Sequence, residues 1–197
     1  MSGARDVVSR WSVGLCMVLG LAGGGAFGGS AEPSPTKLDA SCKAKDFQAC
    51  HALGLLYLEG QGVPKDEQRA VKLLEKACAG KVPHVCAFLG GLYETGSGVP
   101  RNEQRATTLF DQSCTSGDAE SCFHLGVCAL DGLGVPKDVS RAMSLFDKAC
   151  TGGNAQGCKH LGLIYQYGVG VPKDEQRAAK LFDKACQAGL SEFCNKK

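Results

Sequence analysis

Leu53-Gly54-Leu55-Leu56-Tyr57-Leu58-Glu59-Gly60-Gln61-Gly62-Val63-Pro64-Lys65-Asp66 decides the fold, because it returns along the chain every 36 residues. Leu53-Gly54 recurs as Leu89-Gly90, Leu125-Gly126 and Leu161-Gly162. Gly62-Val63-Pro64 recurs as Gly98-Val99-Pro100, Gly134-Val135-Pro136 and Gly170-Val171-Pro172. Downstream, Arg69-Ala70 recurs as Arg105-Ala106, Arg141-Ala142 and Arg177-Ala178. A fixed period in this range signals a solenoid of stacked supersecondary units.

Each unit reads as two helices. The first runs roughly from Phe47 to Leu58, with Cys50, Leu53, Gly54 and Tyr57 on one face at helical spacing. A glycine inside a helix costs about 1 kcal/mol against alanine. Its return at one position in four units implies that it lets a partner helix approach closely. Gly60 and Gly62 stop the first helix. Pro64 and Asp66 open the second, with Asp66, Asn102, Asp138 and Asp174 as N-caps. Ala70, Leu73, Leu74 and Ala77 then form an i, i+3, i+4, i+7 stripe. A single hairpin cannot bury that stripe, so its stability must come from its neighbours.

Ten of the 12 cysteines keep the same beat: Cys42 and Cys50, Cys78 and Cys86, Cys114 and Cys122, Cys150 and Cys158, Cys186 and Cys194. The quoted run, with Arg69-Ala70 and Lys76-Ala77-Cys78, resembles the Sel-one-like repeat, a relative of the tetratricopeptide repeat. The added cysteine pairs are similar to those of the Hcp-type cysteine-rich secreted proteins, often labelled beta-lactamases. The resemblance covers about residues 42–194 and departs at one place, where Ala129 stands at the position of Tyr57, Tyr93 and Tyr165. It implies an all-α, right-handed α/α solenoid of four 36-residue hairpins with units at about 50–85, 86–121, 122–157 and 158–193. That domain spans 42–197, behind a signal peptide at 1–31 and a linker at 32–41.

Two disulfide registers are open. In the short one, each pair bridges the end of one hairpin and the start of the next, where a short turn brings antiparallel helices within bonding distance. In the long one, Cys50 joins Cys78 and Cys86 joins Cys114, which strands Cys42 and Cys194. The short register uses all ten and is preferred. Cys128 stands apart: its repeat equivalents are Leu56, Leu92 and Ile164, so it reads as a buried, inert thiol.

Arg5 and Arg10 precede an apolar stretch from Trp11 to Ala22, and Gly29 and Ala31 suit cleavage before Glu32. So many cysteines fit an oxidising compartment, so the chain is expected to be secreted or periplasmic, with no membrane span after cleavage. Net charge is +2, and beyond residue 31 the chain carries 20 basic and 19 acidic side chains. Such a balance offers no field for nucleic acid or an anionic membrane. No cofactor is expected. Seven residues between paired cysteines do not match zinc spacings, so no metal is expected either. Ser34-Pro35-Thr36-Lys37 fits the serine-x-x-lysine pattern, but in a flexible linker it lacks a fixed base and reads as chance.

Function rests on the surface. Along the first helices the positions of Gln48, His51, Ala52, Leu55, Leu58 and Glu59 vary between units and cluster opposite the constant face. The candidate binding face is His51, Phe88, Phe123, His124, Lys159, His160 and Tyr167, with Leu58 and Leu130 beside it. Phe88, His124 and His160 share one repeat position and should form a strip. The second helices show mainly charge, such as Lys72, Glu75 and Lys76. The expected activity is that of a scaffold for a protein or peptide, with a peptidoglycan-derived fragment or a beta-lactam as further ligand classes. The alternatives are a weak penicillin-hydrolysing enzyme, implied by the family resemblance alone, and a purely structural envelope protein.

Overall fold

The computed structural model describes residues 34–82 and 84–194. The cleavage expected near Glu32 lies outside the described residues. Among them the regular structure is helical: α1 (Pro35–Lys43), α2 (Phe47–Glu59), α3 (Glu67–Ala79), α4 (Val85–Thr95), α5 (Glu103–Thr115), α6 (Ala119–Asp131), α7 (Val139–Thr151), α8 (Ala155–Tyr167) and α9 (Glu175–Gln187), then a 3-10 turn at Ser191–Phe193. Each helix packs chiefly on the next one in the chain, which is the contact pattern of a solenoid. The even-numbered helices α2, α4, α6 and α8 form one layer, and α3, α5, α7 and α9 the other.

The helix boundaries follow from local chemistry. The Oδ1 atoms of Asp66, Asn102, Asp138 and Asp174 each accept from the backbone N–H three residues on, capping α3, α5, α7 and α9. At the other end of α2, Gly60 takes a left-handed φ of 73° and its N–H bonds the Leu56 carbonyl.

The repeated glycine of the even helices does what its spacing implied. A Cβ built on Gly90 would stand 2.8 Å from Phe110 Cε1, and those on Gly126 and Gly162 would meet Phe146 and Phe182 at 2.7 Å. Bare glycine therefore lets the two helices of a hairpin close over a large ring. The loop glycine at Gly134 serves stacking between units, since a Cβ there would lie 2.4 Å from the Glu103 backbone.

Disulfides join the hairpins in the short register: Cys42–Cys50, Cys78–Cys86, Cys114–Cys122, Cys150–Cys158 and Cys186–Cys194, with Cα–Cα separations of 4.5–4.9 Å. Each ties the end of one helix to the helix or turn that follows. In the chain-entropy picture a closed loop of this size contributes about 2–3 kcal/mol. Five together rival the net stability of an ordinary domain, about 5–15 kcal/mol. Cys128 is the free thiol, buried in α6.

One boundary differs from the sequence reading. The segment 32–41 was expected to be a linker, but from Pro35 onward it is α1. Proline at the first helical turn has its φ already set and needs no N–H partner there. Leu38 and Cys42 are buried, and they lie 36 residues before Leu74 and Cys78. Helix α1 thus acts as a shortened second helix preceding the first full hairpin. Its Asp39 meets Arg69 at 3.8 Å, as Glu75 meets Arg105 at 3.6 Å and Asp111 meets Arg141 at 3.4 Å. At the far end, Phe193 is buried and stacks on Phe182 with ring centroids 5.1 Å apart.

The apolar core falls into two main clusters that meet in the second hairpin. Leu109 belongs with the residues from Leu38 onward, and its neighbour Phe110 with those running to Ala185.

Candidate binding face

Helix α6 shows how the face is built. Its buried positions point at α5 and α7, leaving Glu120, Phe123, His124, Val127 and Asp131 as a stripe at helical spacing. The same positions in the other even helices give rows across the solenoid. One row is His51, Ala87, Phe123 and Lys159; the next is Ala52, Phe88, His124 and His160; a third is Leu55, Gly91, Val127 and Leu163.

The rings in these rows touch. Phe123 meets His124 at 5.5 Å and His160 at 5.1 Å, both edge-on. Beneath them lie rings from the second layer: Phe110 stacks on His124 at 4.9 Å, and Phe146 sits 5.3 Å from His160 and 6.0 Å from Phe123. Phe110 and Phe146 escaped the sequence reading of the face. Their signal was present, since Leu74, Phe110, Phe146 and Phe182 fall 36 residues apart.

The strip is not the open display that the sequence suggested. His160 is only 5% exposed, Leu130 is buried, and the Lys159 side chain is 13% exposed. Coverage by the adjoining unit and the terminal turn is the reason. The Lys159 ammonium lies 5.7 Å from the Phe193 ring centroid and 3.8 Å from the Glu192 carboxylate. Phe88 at 37% and Tyr167 at 40% are the exposed large apolar side chains among the described residues. His51, in the first hairpin, is half-buried and lies two units from His124.

Electrostatics divide the histidines. His160 Nδ1 lies 2.9 Å from the Gln156 carbonyl oxygen. Burial pulls its pKa below the ordinary value of 6.5, with Lys159 adding to the effect. Burial likewise lowers that of His51. At His124 burial also acts downward, but the carboxylates of Glu120 at 3.5 Å and Glu94 at 3.7 Å outweigh it, and the pKa rises. Glu94 and Glu120 were not singled out in the sequence, although they stand at the repeat positions of Leu58 and Gln48, which the spacing argument put on this face.

Burial pushes the Cys128 thiol up to about 12, which removes it as a nucleophile. Ser34 Oγ pairs with Thr36 Oγ1 at 3.0 Å on the exposed start of α1. Among the described residues, no group of three or more His, Cys, Asp or Glu is arranged to hold a metal ion, and no helix is long and apolar enough to cross a membrane. An open cleft of about 550 Å³ lies on the loop edge between Lys65–Gln68 and Gly96–Pro100, and its lining mixes both charge signs.

The Sel1 repeat family profile matches residues 47–81, 83–118, 119–154 and 155–190. A protective antigen of uropathogenic Escherichia coli with an SLR fold is 26% identical, over 82% of this chain and 35% of that one, at a TM-score of 0.77. A Sel1 repeat protein from Oxalobacter formigenes is 29% identical, over 76% of this chain and 61% of that one, at a TM-score of 0.68. Helicobacter pylori cysteine rich protein B is 26% identical, over 67% of this chain and 98% of that one, at a TM-score of 0.49. The chain thus spans about a third and under two thirds of the first two structures. No curated protein matches it.

Proposed function

Because this chain belongs to the Sel1-repeat family, we propose that it is a scaffold that binds a protein or peptide partner on the face formed by α2, α4, α6 and α8. The observation that carries the reading is the exposure of the large apolar rings of Phe88 and Tyr167 on the helix layer that also holds the partly covered rings of Phe123 and His124. Exposed aromatic groups on a rigid frame gain most from desolvation when a partner covers them. The opposite layer shows exposed Lys72 and Lys76, whose charges are screened by solvent. Five disulfides fit action in an oxidising space outside the cytosol. Export with cleavage near Glu32 belongs to the same proposal, and N-terminal sequencing of exported material checks it.

The binding test places a photo-cross-linking phenylalanine analogue at Phe88 or at Lys72 in the oxidised protein. Adducts should form from position 88, and the affinity of the partner so identified should fall in Phe88→Ala and Phe123→Ala. Adducts from position 72 alone, with unchanged affinity in the two alanine variants, would put the site on the other layer.

A further inference from the structure

The apolar core has a seam, and the even-numbered helices cross it between α4 and α6. The buried side chains of α2 and α4, such as Leu53, Val85 and Leu89, belong to the first cluster. Those of α6 and α8, such as Leu125, Leu130 and Leu161, belong to the second. The disulfides do not span this step directly. Cys78–Cys86 ties α4 back to α3, and Cys114–Cys122 ties α6 to α5. Helix α4 is also the least secured of its layer at its entry. Asp46, Asp118 and Asn154 cap α2, α6 and α8 with their side chains, whereas His84 at the start of α4 makes no such bond and holds a left-handed φ of 61°.

Two side-chain bridges cross the seam, one at each end of α4. At the start, His84 Nδ1 lies 2.9 Å from Asp118 Oδ2, while Asp118 Oδ1 accepts from the Ser121 N–H in its own cap. At the end, Glu94 lies 3.7 Å from His124 Nδ1. The Nε2 atom of that imidazole lies 3.5 Å from Glu120, which also accepts from the Asn154 side-chain amide at the entry to α8. Asp118 adds a further negative charge near His124, and the rings beside it are those of Phe110 and Phe123. The Cys128 thiol near Glu94 is neutral. The corresponding positions at the flanking junctions pair no histidine with a carboxylate. Between α2 and α4 they hold Gln48 with Val82 and Leu58 with Phe88; between α6 and α8 they hold Glu120 with Asn154 and Leu130 with His160.

We propose that these two histidine–carboxylate bridges form an acid-tightened clasp between the halves of the solenoid, holding α4 to α6 when the imidazoles carry charge and letting the second hairpin loosen when they do not. With His124 charged, Glu94 and Glu120 are drawn to one cation from its two nitrogens. With it neutral, nothing offsets the repulsion between the two carboxylates. The carboxylates outweigh burial and raise the His124 pKa, so its contribution is complete below 6.5 and is lost as pH rises through the raised value. His84 is exposed, so solvent screens its bridge, and His124, with a side chain 19% exposed, is the stronger member. Loosening at this step shifts Phe88 on the first half relative to Phe123 on the second. The clasp goes beyond the binding-face reading and operates with or without a partner.

Two measurements on the full, oxidised chain test this. In an NMR titration of the imidazoles, Glu94→Gln should lower the His124 midpoint and leave that of His160 in place. An unchanged His124 midpoint would remove the bridge at the end of α4. The other measurement is amide hydrogen exchange, corrected for the intrinsic rate at each pH. Protection of the α4 amides should be about threefold or more greater near pH 6 than near pH 8 in the wild type. The difference should vanish in the double variant Glu94→Gln/Asp118→Asn. Both substitutions keep side-chain shape, and asparagine still caps α6, so circular dichroism should match the wild type. A difference that persists in the double variant, one as large in α2 as in α4, or no difference at all would each overturn the clasp.

Discussion

Two adjacent glycines in α4 should respond in opposite ways to the same substitution. Alanine raises helix propensity by about 1 kcal/mol at either position. At Gly90 the new methyl would stand 2.8 Å from Cε1 and 3.0 Å from Cδ1 of Phe110. That ring is only 2% exposed, so it has no free space into which to swing. Overpacking of this kind costs about 1–3 kcal/mol, which cancels or exceeds the propensity gain. At Gly91 the methyl meets no neighbour, so the gain survives nearly whole. Propensity drops out of the comparison, and Gly91→Ala should be more stable than Gly90→Ala by about 1–3 kcal/mol. The assay is urea unfolding of the oxidised proteins followed by circular dichroism, with equal m-values as the check that the unfolding unit is unchanged. In a thermal scan each kcal/mol should appear as about 2–4 °C. Equal stabilisation by both substitutions would refute the claim that the repeated glycine exists to admit the facing ring.

The other predictions concern cysteine and histidine. Non-reducing peptide mapping should recover the five pairs eight residues apart, and reduction should lower the urea midpoint strongly; a Cys50–Cys78 peptide would contradict the fold. Cys128 should resist a thiol reagent in the native state and react at once in denaturant, because burial holds its pKa near 12; rapid native labelling would disprove that. His160 has a lowered pKa, so its neutral form's contribution is complete above the ordinary value of 6.5 and is lost as pH falls toward and through the lowered one. Wild type should therefore lose its advantage over His160→Gln as the pH falls below the ordinary value of 6.5. His124 has a raised pKa, so its contribution is complete below 6.5 and is lost as pH rises through the raised value. The advantage of wild type over His124→Gln should accordingly be larger at the acid end, and the reverse order would show the carboxylates to be ineffective.

The repeat and its helices were legible in the residues alone, and the cysteine pairing was narrowed there to two registers, of which the structure has the short one. A 36-residue beat in Leu-Gly, Gly-Val-Pro, Arg-Ala and the paired cysteines admits few arrangements, because each hairpin buries its stripe only against a neighbour built to the same plan. Capping by Asp66 and its equivalents was equally legible, since a cap is a contact between residues three apart. The rows of the binding face also followed, because helical spacing fixes which side chains share an angle. How deeply each side chain sits was decided by the tertiary structure. Phe88 and His160 occupy one row, yet Phe88 is exposed and His160 is buried under Phe123 and over Phe146. Angular position on a helix says nothing about how closely the next unit approaches. The Glu120–His124 pair is an i, i+4 contact that spacing can show, but the approach of Glu94 from the preceding hairpin came only with the packing of one unit on the next. Helix α1 was hidden as well: a Pro-rich stretch with few apolar residues carries little helical pattern, and burial of Leu38 and the Cys42–Cys50 bridge against α2 is what holds it in place.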